Sequence, residues 1–108
     1  MIRVYIAGPI TGLPDLNRTA FVAAARDLKR AGHHPVNPHR TYGLPTGSQT
    51  WEWYMRRGLA LMLTCDGVAL LDGWEHSRGA RLEVEVAHAL GMVTLPWHQW
   101  LTIEEETR

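Results

Sequence analysis

The sequence predicts a small doubly wound α/β fold, in which a parallel sheet of about four to five strands carries helices on both faces. Two observations support this prediction. Short apolar segments without alternation, typical of strands buried on both faces, occur at residues 2–7, 67–71 and 92–95. Helical segments separate them along the chain, so we expect parallel pairing through right-handed crossovers.

The helical segments have apolar residues at the spacing of a helix, and two of them end at a glycine: residues 18–31, 51–63 and 78–90. Asn17 is expected to cap the first of them. A short strand at residues 34–37 is expected at an edge of the sheet, because Pro35 cannot donate to a ladder. Residues 42–49 are the best candidate for a lid loop, and residues 102–105 resemble the capping box of a short final helix.

Composition restricts both the domain organisation and the classes of function. With 108 residues, 45% of them hydrophobic, residues 1–108 are expected to form a single domain. Eleven Lys+Arg balance eleven Asp+Glu, which argues against a nucleic-acid polymer as partner. The single Cys65 excludes an internal disulfide, and no segment resembles a signal peptide or membrane span, so we expect a cytoplasmic protein. The six histidines lack ligand spacing, and neither a metal nor a cofactor is expected.

The most informative polar pattern lies at residues 77–83. Ser77 and Gly79 stand at the predicted start of a helix, where free N–H groups and the helix dipole favour an anion. Glu83 lies on the same helix face, roughly 6 Å further along the axis. A nucleoside 5'-phosphate has a similar span from phosphorus to C1', where a carboxylate could attack or stabilise an oxocarbenium ion. On spacing alone, an ordinary N-cap and a solvated glutamate remain the more frequent arrangement.

Loops from several strands are expected to meet at one edge of the sheet. Ligands of doubly wound sheets bind beyond the carboxyl ends of the strands, which here are near Ala7, Asn37 and Leu71. The loop from Gly8, the lid candidate and the helix that starts after Ser77 should therefore converge. Asn37 and the nearby His39 follow the second strand and are candidates for contacting a base.

The tryptophans differ in what their positions predict. Trp51 shares its helical phase with Met55, which favours a place in the core. Trp74 stands in the turn before the predicted anion site and is the better candidate for stacking on a base. Trp97 and Trp100 are expected at a subunit interface, where aromatic residues are enriched.

Three motifs in order resemble the nucleoside 2-deoxyribosyltransferase superfamily, over residues 1 to about 95. They are Tyr5-Ile6-Ala7-Gly8-Pro9-Ile10-Thr11, Cys65-Asp66-Gly67-Val68-Ala69, and Ser77-x-Gly79-x-x-x-Glu83 followed by Ala87 and Gly91. The resemblance is closest to the small, uncharacterised phage and bacterial members of DUF4406 type and to nucleoside 5'-monophosphate N-glycosidases. It implies that Glu83 captures C1' as a covalent glycosyl-enzyme, that Tyr5 orients Glu83, and that the protein forms a homodimer or larger assembly.

Position 77 bears on the substrate that the resemblance implies. Transferases that act on free nucleosides place an aspartate there, whereas the monophosphate hydrolases place a serine, so Ser77 favours a 5'-monophosphate. Gly8, Ile10 and Thr11 match the loop that holds phosphate and sugar. The hydrolases can carry a serine at the position of Pro9 and an arginine at that of Thr11, which weakens the phosphate assignment.

Gly58 departs from the family pattern, because enzymes of the family usually have an aspartate there that helps to protonate the leaving base. Either another acid assists, with Glu52, Asp72 or Glu75 as candidates, or the protein is a slow enzyme or only a binder. Asp66 matches a second family aspartate, for which a structural hydrogen bond and a substrate contact are both open.

Together these features predict an N-glycosidase that hydrolyses a (deoxy)ribonucleoside 5'-monophosphate through Glu83, with Tyr5 and Asp66 as further catalytic candidates. The predicted binding residues are Gly8, Pro9, Ile10, Thr11, Asn37, Trp74, Ser77 and Gly79. The alternatives are transfer of deoxyribose between bases and nucleotide binding without turnover. The sequence identifies neither the base nor the choice between ribose and deoxyribose.

Overall fold

In the computed structural model, which describes residues 2–39 and 49–103, four strands form one parallel sheet in the order β2-β1-β3-β4. The strands are β1 (Arg3–Ala7), β2 (His34–Val36), β3 (Gly67–Leu70) and β4 (Val93–Pro96). The helices are α1 (Arg18–Arg30), α2 (Trp51–Met62), α3 (Arg78–Ala89) and the short α4 (Trp97–Trp100), and two 3₁₀ segments cover Pro14–Asn17 and Trp74–His76.

Each face of the sheet packs against its own apolar cluster, as the alternation of side chains along a strand requires. Val4 and Ile6 of β1 belong to the cluster with residues of α1 and α4. Tyr5 and Ala7, the intervening residues, belong to the cluster with residues of α2 and α3. Helices therefore cover both faces of a parallel sheet, and the predicted doubly wound α/β fold is confirmed.

Most element boundaries follow the local signals in the sequence. Thr50 and Ser77 cap α2 and α3, and each hydroxyl accepts a hydrogen bond of 3.1 Å from the backbone N–H three residues later. Asn17 does not act as the predicted side-chain cap, because its backbone is left-handed with φ 61°. Its side-chain amide instead donates to the Pro9 carbonyl oxygen at 2.9 Å, which joins the loop after β1 to the start of α1.

Two predicted segments can be compared only in part. β2 lies at an edge of the sheet, as Pro35 predicted. The predicted lid loop lies outside the described residues except for Gln49, and so do residues 104 and 105 of the predicted final helix. Thr102 forms part of a turn directly after α4.

In the part of the chain that the structure describes, no helix is long and apolar enough to cross a membrane.

Trp100 lies in the core, so its assignment to a subunit interface was wrong. Its side chain is only 2% exposed, and its indole N–H donates to the Val68 carbonyl oxygen at 3.0 Å. The ring also packs edge-on against His33, and Trp97 is partly buried against the same cluster. A four-residue helix is too short to show periodicity, which is why the sequence did not reveal this packing.

Gly67 provides a test of this packing. A Cβ atom at position 67 would lie 2.6 Å from Cη2 of Trp100 and 3.1 Å from the Val93 carbonyl oxygen. We expect Gly67→Ala to lower the free energy of unfolding by about 2 kcal/mol, as measured by urea denaturation. Adding Trp100→Phe removes the contacting part of the ring, so the combined loss should be smaller than the sum of the single losses. Simple additivity would contradict this explanation.

Candidate active site

A cavity of about 340 Å³ lies beyond the carboxyl end of β1 and beside the start of α3. From β1 the chain continues to β2 on one side and later to β3 on the other, so this is the point where the strand order reverses. Doubly wound sheets bind their ligands at such points. The volume falls at the lower end of the range of ligand pockets, about 300–1,000 Å³. The cavity is therefore the candidate active site.

Glu83 and Tyr5 form the polar centre of the cavity. The Tyr5 hydroxyl donates to Oε2 of Glu83 at 2.6 Å, and both side chains are buried. Burial raises the pKa of Glu83 from 4.5 to about 7, although the hydrogen bond from Tyr5 opposes this shift by favouring the charged form. Among the described residues that line the cavity there is no lysine or arginine to pair with the carboxylate. Glu83 can therefore exchange its proton near neutral pH.

The position of Glu83 follows from the phase of α3. Its buried residues are Ala80, Glu83, Val84 and Ala87, which is the spacing of a single helix face. That face packs against the side of the sheet that carries Tyr5. Glu85, two residues further, is exposed. The helix thus places one carboxylate inside the protein and the next one in solvent.

The start of α3 and the loop after β1 form the adjoining part of the cavity wall. Ser77, Gly79, Gly8 and Thr11 all line it, together with Ile10. Gly8 has no room for a side chain, because a Cβ atom would lie 2.7 Å from Cβ of Leu71. The structure thus brings together seven predicted site residues: Tyr5, Gly8, Ile10, Thr11, Ser77, Gly79 and Glu83.

Asp66 lies at the opposite end of the sheet, which corrects its place among the catalytic candidates. It directly precedes β3, and its Oδ2 accepts a hydrogen bond of 3.1 Å from the backbone N–H of Arg3. The four residues of β3, at about 3.3 Å each, separate Asp66 from the edge that carries the cavity. Of the two roles left open by the sequence, this position supports the structural hydrogen bond.

Trp51 was predicted in the core and Trp74 in the binding pocket, and the structure shows the opposite for both. Trp51 lines the cavity, and the Arg78 guanidinium lies 3.6 Å from its ring centroid. Trp74 packs partly buried against the cluster on the α2 and α3 side and is not among the described lining residues. Trp51 is the first residue of α2, so its helical phase does not determine whether it packs on the sheet or extends past it.

Two further predicted binding residues lie beside the cavity and not in its described lining. The Pro9 carbonyl oxygen accepts the hydrogen bond from Asn17. Asn37 is buried, and its Oδ1 accepts a hydrogen bond of 3.0 Å from the backbone N–H of His39. Asn37 therefore holds the backbone at the end of β2, whereas His39 reaches the cavity.

Part of the cavity wall was not predicted from the sequence. Tyr54 and Met55 of α2 line the cavity with Trp51, and the other described lining residues that the sequence did not assign there are Ile6, Leu16, Phe21, Pro38 and Ala80. Gln49, the described end of the lid candidate, also lines the cavity. The helical spacing from Trp51 to Tyr54 was the available signal, because residues three apart share a helix face. Leu16 and Phe21 reach the wall through the packing of the 3₁₀ segment Pro14–Asn17 and of α1, which no local sequence pattern predicts.

The three carboxylates considered as substitutes for the missing family aspartate lie outside this lining. Glu52, Asp72 and Glu75 are exposed, and Glu83 is the only carboxyl group among the described lining residues. Gly58 itself is buried in α2. Nor do the described residues contain a group of three or more His, Cys, Asp or Glu that could hold a metal ion.

Comparison with known proteins agrees with this fold. The model of a family described as "Domain of unknown function (DUF4406)" matches residues 2–95. The chain belongs to the DUF4406 family. Among solved structures, the 2-deoxyribosyltransferase of the psychrotolerant bacterium Bacillus psychrosaccharolyticus is similar with a TM-score of 0.71 and 14% identity, over 97% of this chain and 94% of that chain. This DUF4406 member thus has a 2-deoxyribosyltransferase-like fold, which confirms the resemblance identified from the motifs. None of the curated proteins matches the sequence.

Proposed function

We propose that this DUF4406 protein cleaves the N-glycosidic bond of a nucleoside or nucleotide through Glu83. The observation that carries the proposal is a buried carboxyl group, held by Tyr5 at 2.6 Å, in a cavity of ligand size. A carboxylate oxygen attacks C1' while the C1'–N bond breaks and its electron pair moves to the base. An acceptor then displaces the carboxylate from C1'.

Transfer of deoxyribose to a second base is the form of this reaction that the fold similarity to a 2-deoxyribosyltransferase favours. The acceptor in that reaction is the nitrogen of a free base, which loses its proton as it bonds to C1'. Because the cavity wall contains several apolar and aromatic side chains, among them Phe21 and Trp51, it suits a planar base.

Hydrolysis of a nucleoside 5'-monophosphate is the second candidate, and Ser77 favours it. The Ser77 oxygen accepts the capping hydrogen bond from Ala80, so its own O–H remains a donor for a phosphate oxygen. The free N–H groups and dipole of α3 add to the attraction for an anion. Water then takes the place of the second base as acceptor.

One experiment tests the proposed function and separates its two forms. The protein is incubated with a panel of 2-deoxyribonucleosides and their 5'-monophosphates, with and without a second free base, and the products are separated by chromatography. Base release without an added acceptor supports hydrolysis, and formation of a new nucleoside supports transfer. Binding of these compounds without either product would overturn the proposal in favour of a nucleotide-binding protein.

Substitution of Ser77 tests whether α3 binds the phosphate. Aspartate and asparagine both cap helices well, so Ser77→Asp and Ser77→Asn should leave the thermal stability similar. Only the aspartate repels a phosphate dianion. We expect Ser77→Asp to raise the KM for a 5'-monophosphate by about 10-fold or more relative to Ser77→Asn, with little difference for the free nucleoside. An equal KM ratio for both substrates would show that position 77 does not contact the phosphate.

A further inference from the structure

His39 is a buried side chain of the cavity that neither the Glu83–Tyr5 pair nor the start of α3 uses. Its exposure is 3%, and neither ring nitrogen makes a hydrogen bond with a described residue, although the backbone of Leu16 lies near enough to favour the charged ring. Buried polar groups normally have partners. An imidazole left without one in a cavity wall indicates that a bound ligand supplies the partner.

The fold holds the His39 ring in place. Its backbone N–H donates to Oδ1 of Asn37 at 3.0 Å, which sets the direction of the chain after β2. The ring packs edge-on against Phe21 of α1, with the centroids 4.7 Å apart. An imidazole that packing holds in the wall of a cavity is preorganised for contact with a ligand.

The proposed reaction requires a group of this kind. As the C1'–N bond breaks, the base gains negative charge, and a positioned proton donor is worth about 10² to 10⁴ in rate. Glu83 is the only carboxyl group among the described lining residues, and it is used as the nucleophile. Imidazole is the side chain most often used for proton transfer near neutral pH.

We propose that His39 donates the proton that the leaving base takes up as its bond to C1' breaks. The proposal rests on the proposed function. In the first step the imidazolium N–H gives its proton to the base, which receives the electron pair of the C1'–N bond, while a Glu83 oxygen bonds to C1'. In the second step water or a free base attacks C1', passes a proton to the neutral imidazole and releases the Glu83 carboxylate. The enzyme thereby returns to its starting state.

The charges around the cavity are compatible with this cycle. Burial lowers the pKa of His39, the Arg18 guanidinium lowers it further, and the Asp15 carboxylate opposes the shift. Because the pKa of Glu83 is about 7, both its ionised and its protonated forms are present at neutral pH. An ionised Glu83 and an anionic substrate both favour the imidazolium.

The test compares two leaving groups. His39→Phe keeps an aromatic ring against Phe21 and removes both nitrogens, and His34→Phe is the matched control at an exposed position of β2. One substrate is the nucleoside or nucleotide on which the wild-type protein is active. The other is the corresponding 4-nitrophenyl 2-deoxyribofuranoside, whose nitrophenolate leaves without a proton. We expect His39→Phe to lower kcat/KM for the first substrate by about 10²-fold or more and to affect the second far less.

The possible outcomes separate this proposal from the proposed function. Equal losses for both leaving groups, or no loss for either, would overturn the role of His39 while leaving Glu83 as nucleophile. If the wild-type protein releases neither base nor nitrophenolate, the proposed function fails and the proton donor fails with it. Should thermal melting show that His39→Phe is unfolded, His39→Gln provides the same comparison with a neutral side chain of similar polarity.

Discussion

Glu83→Gln is expected to reduce base release by on the order of 10³-fold or more, because a neutral amide cannot form the bond to C1'. The substitution preserves the shape of the side chain. Tyr5 can donate to the amide oxygen as it donates to Oε2 of Glu83, at 2.6 Å, so the cavity should keep its form. The rate of base release, followed by chromatography at saturating substrate, measures the effect.

Glu85→Gln is the matched control for this experiment. It removes the same charge from the same helix, two residues further along, where the side chain is exposed. We expect it to retain the wild-type rate. Wild-type turnover by Glu83→Gln would show that another group attacks C1', and an equal loss in both variants would attribute the effect to charge and not to the nucleophile.

The same substitution is expected to stabilise the protein at alkaline pH. Burial raises the pKa of Glu83 from 4.5 to about 7, so over this interval the folded protein keeps a proton that the unfolded chain releases. The contribution of Glu83 to the free energy of unfolding is therefore greatest below pH 4.5 and falls until the pH passes about 7. At 1.36 kcal/mol per pKa unit the total loss is about 3 kcal/mol. Glutamine cannot ionise and avoids this loss.

The measurement is the difference in unfolding free energy between Glu83→Gln and wild type at about pH 5 and about pH 8. Because pH 5 already lies above the unfolded pKa of 4.5, we expect the difference to shift in favour of glutamine by about 2.5 kcal/mol at the higher pH. Glu85→Gln should show a much smaller change, because its parent side chain is exposed. If the difference for Glu83→Gln is the same at both pH values, Glu83 ionises in the folded protein as it does in the unfolded chain.

The two predictions on Glu83 have a common cause. A carboxyl group buried without a cationic partner destabilises the folded state when it ionises. Strongly shifted pKa values of this kind cluster at functional sites. The loss of stability above neutral pH is thus the expected companion of burying the carboxyl group that we propose as the nucleophile, and the two measurements on one variant test both consequences.

Local patterns were sufficient for much of the fold and for the centre of the site. The uninterrupted apolar runs predicted strands such as β1 and β3, since such strands are buried on both faces. Ser77 predicted the start of α3, and the helical phase placed Glu83 on the same side as Gly79. All three residues line the cavity. These predictions succeed because capping and helical phase depend on residues only a few positions apart.

The predictions that failed concern side chains whose surroundings come from distant parts of the chain. Asp66 matched a family aspartate whose role the sequence left open between a structural hydrogen bond and a substrate contact, and the direction of β3 places this carboxylate at the opposite end of the sheet from the cavity. The sequence predicted a surface position for Trp100. In the structure α4 packs beside β3, and the Val68 carbonyl oxygen accepts a hydrogen bond from the indole N–H of Trp100. The predictions for Trp51 and Trp74 failed for the same reason: Trp51 lines the cavity and Trp74 packs against an apolar cluster, the reverse of what was expected. The phase of a residue within its own helix does not show which other element that residue faces.

By itself, then, the sequence determined the alternation of strands and helices, the cap at Ser77 and the helix phase of Glu83, all of which depend on short-range spacing. The family resemblance implied that Tyr5 orients Glu83 and the end of β2 made His39 a candidate, but only the tertiary structure shows that Tyr5 and Glu83, 78 residues apart, share a hydrogen bond and that His39 lines the same cavity. Packing of α3 on the sheet buries the Glu83 carboxyl group and raises its pKa to about 7. That shift depends on the removal of water by several elements at once, which no local pattern records.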